Sequence, residues 1–296
     1  MSSVALAVDI GGSAVRAALV DQEGEIHARV EAPTSSGPLV DVVAAVVGDV
    51  LREAEQRKPR SCAISVPEYV HDGSVTSSMV IPWDQSGGAV VNAIRGQIGT
   101  DVSVVIESDV HCGGLAEYAL GSTQSETLFY VSWGTGISST FILPGGKIHR
   151  GAHGAAIALG EVASGTNADL TLEQFASGAG MASRWAKAHP TDAVSAQELV
   201  GRAGSDPDAH ALVAEASEAL GRTLRDMVSV LDPDRVAVGG GLGAAENWYW
   251  APLRAAFDRG DGSPQRATLV PATAGPHSSL LGAARVAHAM QLNPSR

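Results

Sequence analysis

Three glycine turns stand where apolar runs end: Gly11-Gly12-Ser13, Gly134-Thr135-Gly136 and Gly239-Gly240-Gly241. With no side chains in the way, backbone N–H groups at such a turn converge on one point and form a concavity for phosphate oxygens. A Ser or Thr hydroxyl adds a donor. One such turn alone reads first as a hairpin; three of them, each after a buried-looking strand, point to a cradle for nucleotide phosphates. Asp9 closes the first apolar run. A carboxylate fits poorly at the end of a purely structural strand, and it suits a Mg²⁺ ion held through water beside phosphates. Asp109 follows the apolar run 102–106 and precedes a small-residue segment. Strand ends in α/β proteins face the ligand crevice. Asp109 therefore reads either as a helix cap or as a base that takes the proton of an attacking hydroxyl. Glu161 and Glu173 lie among glycines and small residues. They read either as solvated loop carboxylates or as a pair accepting hydrogen bonds from sugar hydroxyls. His111, His149 and His153 have no partner at metal-ligand spacing, so they read as surface or internally satisfied histidines.

These residues need elements to hold them. Strands are expected over 4–9, 14–21, 25–31, 61–66, 102–106, 235–239 and 267–271. The first is almost wholly apolar, as a central buried strand is. Helices are expected over 38–57, 92–98, 113–120, 172–189, 195–201, 208–231 and 278–290, and a loop over 67–88. The stretch TLFYVSWGTGISSTFIL repeats the opening layout of strand, glycine turn and strand, which marks a weak internal repeat. Strands alternate with helices in two halves. The expected architecture is α/β, with two domains facing each other across a cleft. The first covers 1–118 and is completed by the last helix, 278–296; the second covers 119–277.

The bulk properties agree with an enzyme of this kind. The chain has 296 residues, 45% of them hydrophobic, and a net charge of −12. Such an acidic balance argues against nonspecific binding to nucleic acid or anionic membrane, since both require clustered Lys or Arg. Two distant cysteines, Cys62 and Cys112, exclude a disulfide framework and point to a reducing cytoplasm. No apolar run approaches 18 residues, and the N-terminus lacks the basic region and cleavage signal of a leader.

At DIGGSAVRAALVD, SDVHCGGLAEYALG, VSWGTGI, LEQFASGAGM, LDPDRVAVGGGL and LLGAARVA the chain resembles the ROK family (repressor, open reading frame, kinase). The resemblance runs nearly the whole length. It implies a two-domain actin-like (ribonuclease H-like) ATPase fold with a central cleft, a homodimer, and ATP- and Mg²⁺-dependent phosphorylation of a sugar hydroxyl, usually the 6-OH. On the matching motifs it implies that Asp9, Gly11, Gly12 and Ser13 form the first phosphate loop, and Gly134, Thr135 and Gly136 the second. Gly240 and Gly241 approach the adenosine, Asp109 is the general base, and Glu161 and Glu173 bind the sugar. Regulators in the family carry a helix-turn-helix ahead of the first strand, which here begins at Val4, so a repressor is not expected.

The departures fall in the sugar-facing segments. Ser164 stands where the family often has His, and Ser108 where it usually has Asn. SGTNADLT replaces the cysteine-rich zinc loop, so no zinc site is expected. Glu68 replaces the Gly of the sugar loop. Met79 and Val80 stand where an Asn commonly precedes the loop tryptophan, here Trp83. A carboxylate at a sugar-facing turn would pair with an ammonium. The expected acceptor is accordingly an amino sugar of the kanosamine type, in line with ROK-like kinases of antibiotic pathways. A glucose or N-acetylhexosamine kinase, a C7-cyclitol kinase and a non-catalytic sugar-binding protein are the alternatives.

Overall fold

The computed structural model describes residues 3–54, 57–121, 123, 125–167, 169–258 and 267–292. Parts of the expected helices 38–57 and 278–296, and of the expected domain 119–277, lie outside the described residues. The chain divides into two compact units. The first holds Met1–Ala116, Arg150–Ala155 and His277–Arg296; the second holds Glu117–His149 and Ala156–Pro276. The short segment 150–155 thus belongs with the first unit, although it lies within the expected span of the second domain.

The first unit contains β1 (Val4–Ile10), β2 (Ala14–Asp21), β3 (Ile26–Pro33), α1 (Leu39–Glu53), β4 (Ser61–Val66), the short ribbon β5 (Val70–His71) and β6 (Ser74–Val75), α2 (Trp83–Ile98), β7 (Ser103–Ser108) and the start of α3 (Asp109–Gly121). Its sheet runs β3-β2-β1-β4-β7. β1 and β2 pair antiparallel, while β4 and β7 run parallel to β1. Successive β1 side chains point to opposite faces. Leu6, Val8 and Ile10 pack with the valines of α1, and Ala5 and Ala7 pack with Leu280, Ala283, Ala284 and Ala287 of α10 (Ser278–Leu292). Both faces of β1 are covered, which is why its sequence is a continuous apolar run rather than an alternating one.

The second unit contains β8 (Leu128–Trp133), β9 (Ile137–Leu143), β10 (Lys147–His149), α4 (Leu172–Ala176), α5 (Gly178–Ala188), α6 (Ala196–Arg202), α7 (Pro207–Leu231), β11 (Arg235–Gly239), α8 (Gly240–Gly243), α9 (Trp250–Asp258) and β12 (Thr268–Pro271). Its sheet runs β10-β9-β8-β11-β12. The same plan recurs: an antiparallel meander, then two strands parallel to its first. The core gathers Val131, Trp133, Met181, Leu220, Val236 and Leu253 among others.

Two elements differ from the sequence expectation. α2 starts at Trp83, inside the expected loop 67–88. Gly87 lies under the Trp83 indole, where any Cβ would come within 2.5 Å of the ring, so its glycine is a packing site and not a helix breaker. The expected helix 172–189 is two helices. Ser177 takes an extended conformation (φ −71°, ψ 164°), and its hydroxyl accepts the Gly180 N–H at 3.0 Å to start α5 afresh.

Candidate active site

In the first unit, register decides what surrounds Asp9. The β1–β2 hairpin sets Arg16 opposite Asp9, and the parallel pairing with β4 sets Ser65 beside it. The Ser65 hydroxyl donates to Asp9 Oδ1 at 3.0 Å, and Arg16 Nη1 donates to Oδ2 at 3.3 Å. Burial pushes the Asp9 carboxyl up from its ordinary range, and Ser65 and Arg16 offset part of that rise. The adjoining turn is tied at its edges. The Gly11 N–H donates to Ala14 O at 2.9 Å, and the Thr34 hydroxyl donates to Gly11 O at 2.7 Å. The Thr34 N–H donates to Ser13 O at 3.0 Å. The N–H groups of Gly12 and Ser13 have no partner among the described residues. Unpartnered amides at such a turn can bind an anion.

β7 delivers Ser108 and Asp109 to the start of α3. The backbone here is fixed by buried Glu107, whose Oε1 accepts the Ser108 N–H at 2.9 Å and His111 Nδ1–H at 2.8 Å. Arg150 grips the same carboxylate with both terminal nitrogens. A carboxylate only accepts, so this contact assigns the Nδ1 proton of His111. Burial alone would raise Glu107; the His111 and Arg150 hydrogen bonds overcome it and hold the carboxyl at about 2. Asp109 is the opposite case. It keeps a solvent-facing edge, but enclosure by protein, the nearby charges of Asp9 and then Glu68 push it up to about 7, against a smaller pull from the Val110 N–H. A carboxylate titrating near neutrality suits general-base work.

Glu68 requires a correction. It is buried, and its carboxylate accepts four hydrogen bonds from its own loop: the Ser77 hydroxyl at 2.5 Å and the N–H groups of Met79, Val80 and Ile81 at 2.9, 2.7 and 3.0 Å. Burial would raise this carboxyl, but the Ser77, Ile81, Met79 and Val80 bonds hold it below the usual range. Its charge is spent on shaping the loop, and no lone pair is set aside for a substrate ammonium. Met79 and Val80 themselves are exposed.

In the second unit the Gly134–Gly136 turn follows β8. The Gly134 N–H donates to Gly136 O at 3.0 Å, and the turn's carbonyls receive the first N–H groups of α5, Gly178 to Gly134 and Ala179 to Thr135. The N–H groups of Thr135 and Gly136 have no partner among the described residues. A Cβ at Gly178 would come within 2.9 Å of Gly134 O, so the close approach requires glycine. Glu173, in α4, lies against this turn. Its Oε2 accepts the Ile137 N–H at 2.7 Å, and a Cβ at Gly136 would come within 2.6 Å of that oxygen. Gly160 packs on Glu173 too, which brings the neighbouring, exposed Glu161 to the same region. Ser164 corrects the expectation placed on it. It is buried, and its hydroxyl donates to Asn167 O at 2.7 Å and accepts the Asn167 N–H at 3.0 Å, so it closes its own turn in place of reaching a sugar.

Gly240 and Gly241 do different jobs. Gly240 has φ +78°, and a Cβ there would lie 2.5 Å from Trp133 O, so it lets β11 turn against β8. Gly241 lines a cavity of about 740 Å³ together with Gly134, Thr135, Ala179, Val200 and Asn247. That volume lies within the roughly 300–1,000 Å³ of small-molecule and cofactor sites.

Sequence reasoning missed Arg16, Ser65, Glu107 and Arg150. The hairpin register contained a signal for Arg16, since equal strands on either side of the turn place it across from Asp9. The Ser65–Asp9 and Arg150–Glu107 pairs are 56 and 43 residues apart, and only the fold joins them.

Similarity to known proteins follows the same lines. A bifunctional NanE/NanK enzyme of Brucella melitensis is 29% identical over 97% of this chain and 54% of its own; the chain spans about half the length of such curated relatives. A glucokinase of Streptomyces coelicolor is 27% identical, with 95% of this chain and 96% of that protein covered. The crystal structure of a ROK family glucokinase from Streptomyces griseus, in complex with glucose and AMPPNP, superimposes with a TM-score of 0.79 at 25% identity, over 97% of this chain and 100% of that one. The fold is the mixed α/β fold of the actin-like ATPases. Residues 5–290, which hold the Gly11–Ser13 and Gly134–Gly136 turns, Asp109 and the cavity-lining Gly241, match the ROK family, and the chain belongs to it.

Proposed function

We propose that the protein is an ATP-dependent kinase of a hexose or hexose-like acceptor, acting on a primary, 6-type hydroxyl. The observation that carries the reading is Asp109: a carboxylate pushed up to about 7, in the same unit as a glycine turn with unpaired amides. A sugar-binding module needs no base of this kind. The second unit holds a cavity of nucleotide size, lined in part by Gly134 and Thr135.

In this reading the amides of Thr135 and Gly136 and of Gly12 and Ser13 bind phosphate oxygens, and Gly241 borders the nucleoside. Glu173, held by the Ile137 N–H, and Glu161 orient the acceptor. Asp109 accepts the proton of its hydroxyl as that oxygen attacks the terminal phosphorus. Orientation and charge neutralisation supply most of the acceleration. Asp9 fits a Mg²⁺ ion held through water. Each of its oxygens already accepts one protein hydrogen bond and keeps a lone pair, and a nearby cation would relieve the cost of burying its charge. When bound, that ion neutralises phosphate charge. The involvement of Glu68 in its own loop removes the reason to prefer a kanosamine-type acceptor.

The test is coupled ADP release over hexoses, N-acetylhexosamines, amino sugars and cyclitols, with mass spectrometry of the product. A sugar monophosphate formed only when ATP and Mg²⁺ are both present is expected. Tight sugar binding without ADP release would overturn the enzymatic reading.

A further inference from the structure

The loop that follows β6 is held unusually firmly and presents an apolar surface. Glu68 takes the N–H groups of Met79, Val80 and Ile81, and the Ser77 hydroxyl. Ser77 Oγ in turn accepts the Tyr69 N–H at 2.9 Å, and the Ser78 hydroxyl contacts Ile81 O at 2.8 Å and Asp84 at 2.7 Å. Five consecutive residues are therefore pinned. Their side chains at 79 and 80 are nonetheless left in solvent, Met79 71% and Val80 53% exposed, two of the four large apolar residues so exposed among the described ones. A rigid loop that holds Met and Val in water forgoes their burial without regaining chain entropy.

The position of the loop indicates what covers it. A Cβ on Gly12 would lie 3.1 Å from Val80 Cγ1, so Val80 borders the first phosphate turn. The Glu68 charge acts on Asp109, so the loop is also within electrostatic reach of the base. A molecule in contact with both is the acceptor. Residues 79–81 can offer it no N–H donor, because all three are spent on Glu68, and the side chains of Met79, Val80 and Ile81 are apolar. A hydroxyl set against the Met79 and Val80 side chains would lose its water partners and gain none from them.

Resting on the kinase reading above, we propose that Val80, with Met79, is a specificity-determining surface that selects an acceptor bearing a methylene in place of a hydroxyl on the side facing the loop, that is, a deoxy sugar. Residue 80 sets which ring substituent is tolerated, while Asp109 acts on the primary hydroxyl.

The test compares glucose with 2-, 3- and 4-deoxyglucose by ADP release, using the full chain, its Val80→Asn variant and the near-isosteric Val80→Thr. One deoxy sugar is expected to exceed glucose in kcat/KM by about tenfold, within the range that an apolar wall gives against an added hydroxyl. Both variants are expected to shrink that ratio about tenfold, mainly through KM, and Val80→Thr carries the test if Val80→Asn fails to fold. Glucose outperforming every deoxy sugar overturns this inference alone, as does a ratio unchanged in Val80→Thr. No ADP release with any acceptor overturns the kinase reading and this inference together.

Discussion

Replacing Asp109 by asparagine should damage turnover and strengthen the folded protein at once. The carboxyl is raised from the ordinary 3.8 to about 7. Between those two values the unfolded chain has released this proton and the folded one has not, so wild-type stability falls as pH rises from about 4 through 7. The full shift corresponds to about 4 kcal/mol, at ~1.4 kcal/mol per pH unit. The solvent-facing edge of Asp109 screens part of it, which leaves about 1–2 kcal/mol. Asparagine keeps an acceptor for the Val110 N–H but carries no charge, and so escapes that cost. Thermal melts of wild type and Asp109→Asn at pH 4 and pH 8, without ligands, read the difference. The variant is expected to melt with the wild type at pH 4, and above it at pH 8 by roughly 2–4 °C per kcal/mol. ADP release should fall by about 10²–10⁴-fold, the usual contribution of a general base. In the wild type, kcat/KM should rise with pH to a plateau above about 7. A variant that melts below wild type at pH 8, or that keeps its turnover, would refute the assignment of a raised, catalytic carboxylate.

Asp9→Asn removes the charge that, after burial, does most to raise Asp109, while Arg16 keeps Glu31 as a partner. The acid limb of kcat/KM is expected to move to lower pH in the residual activity, and an unmoved limb would show that the two carboxyls do not interact. Glu68→Gln leaves one acceptor oxygen where two served four donors, and should cost about 1–3 kcal/mol of stability. Because the Glu68 carboxyl titrates below its usual range, that gap is expected to narrow as pH falls through its folded-state value, with no change in preference between amino and neutral sugars. Gly240→Ala forces a side chain at φ +78° against Trp133 O. It should lower the melting temperature and raise the KM for ATP more than that for sugar.

Much of the architecture could be read from residue order, because it depends on local periodicity and turn chemistry. The unbroken apolar run of β1 announces a strand covered on both faces, and the repeat of strand, glycine turn and strand announces two similar sheets. The type of residue at each turn and at each strand end also follows from sequence: glycines where a backbone comes close, Asp9 and Asp109 where β1 and β7 finish. What those residues do was decided by contacts, near and far in the chain, that only the folded structure makes. Glu68 looks like a free anion until the loop at 77–81 folds back and spends its charge. Ser164 looks like a pocket residue until Asn167 closes on it. The Gly87 that suggests a loop is the seat of Trp83. The Asp109 carboxyl is raised toward neutrality because the fold encloses it and sets Asp9 and Glu68 nearby, while Arg150 reaches Glu107 across 43 residues of chain. Periodicity fixes which way a side chain faces within its own element; its charge state and its free lone pairs depend on neighbours that only the assembled sheet and its loops bring together.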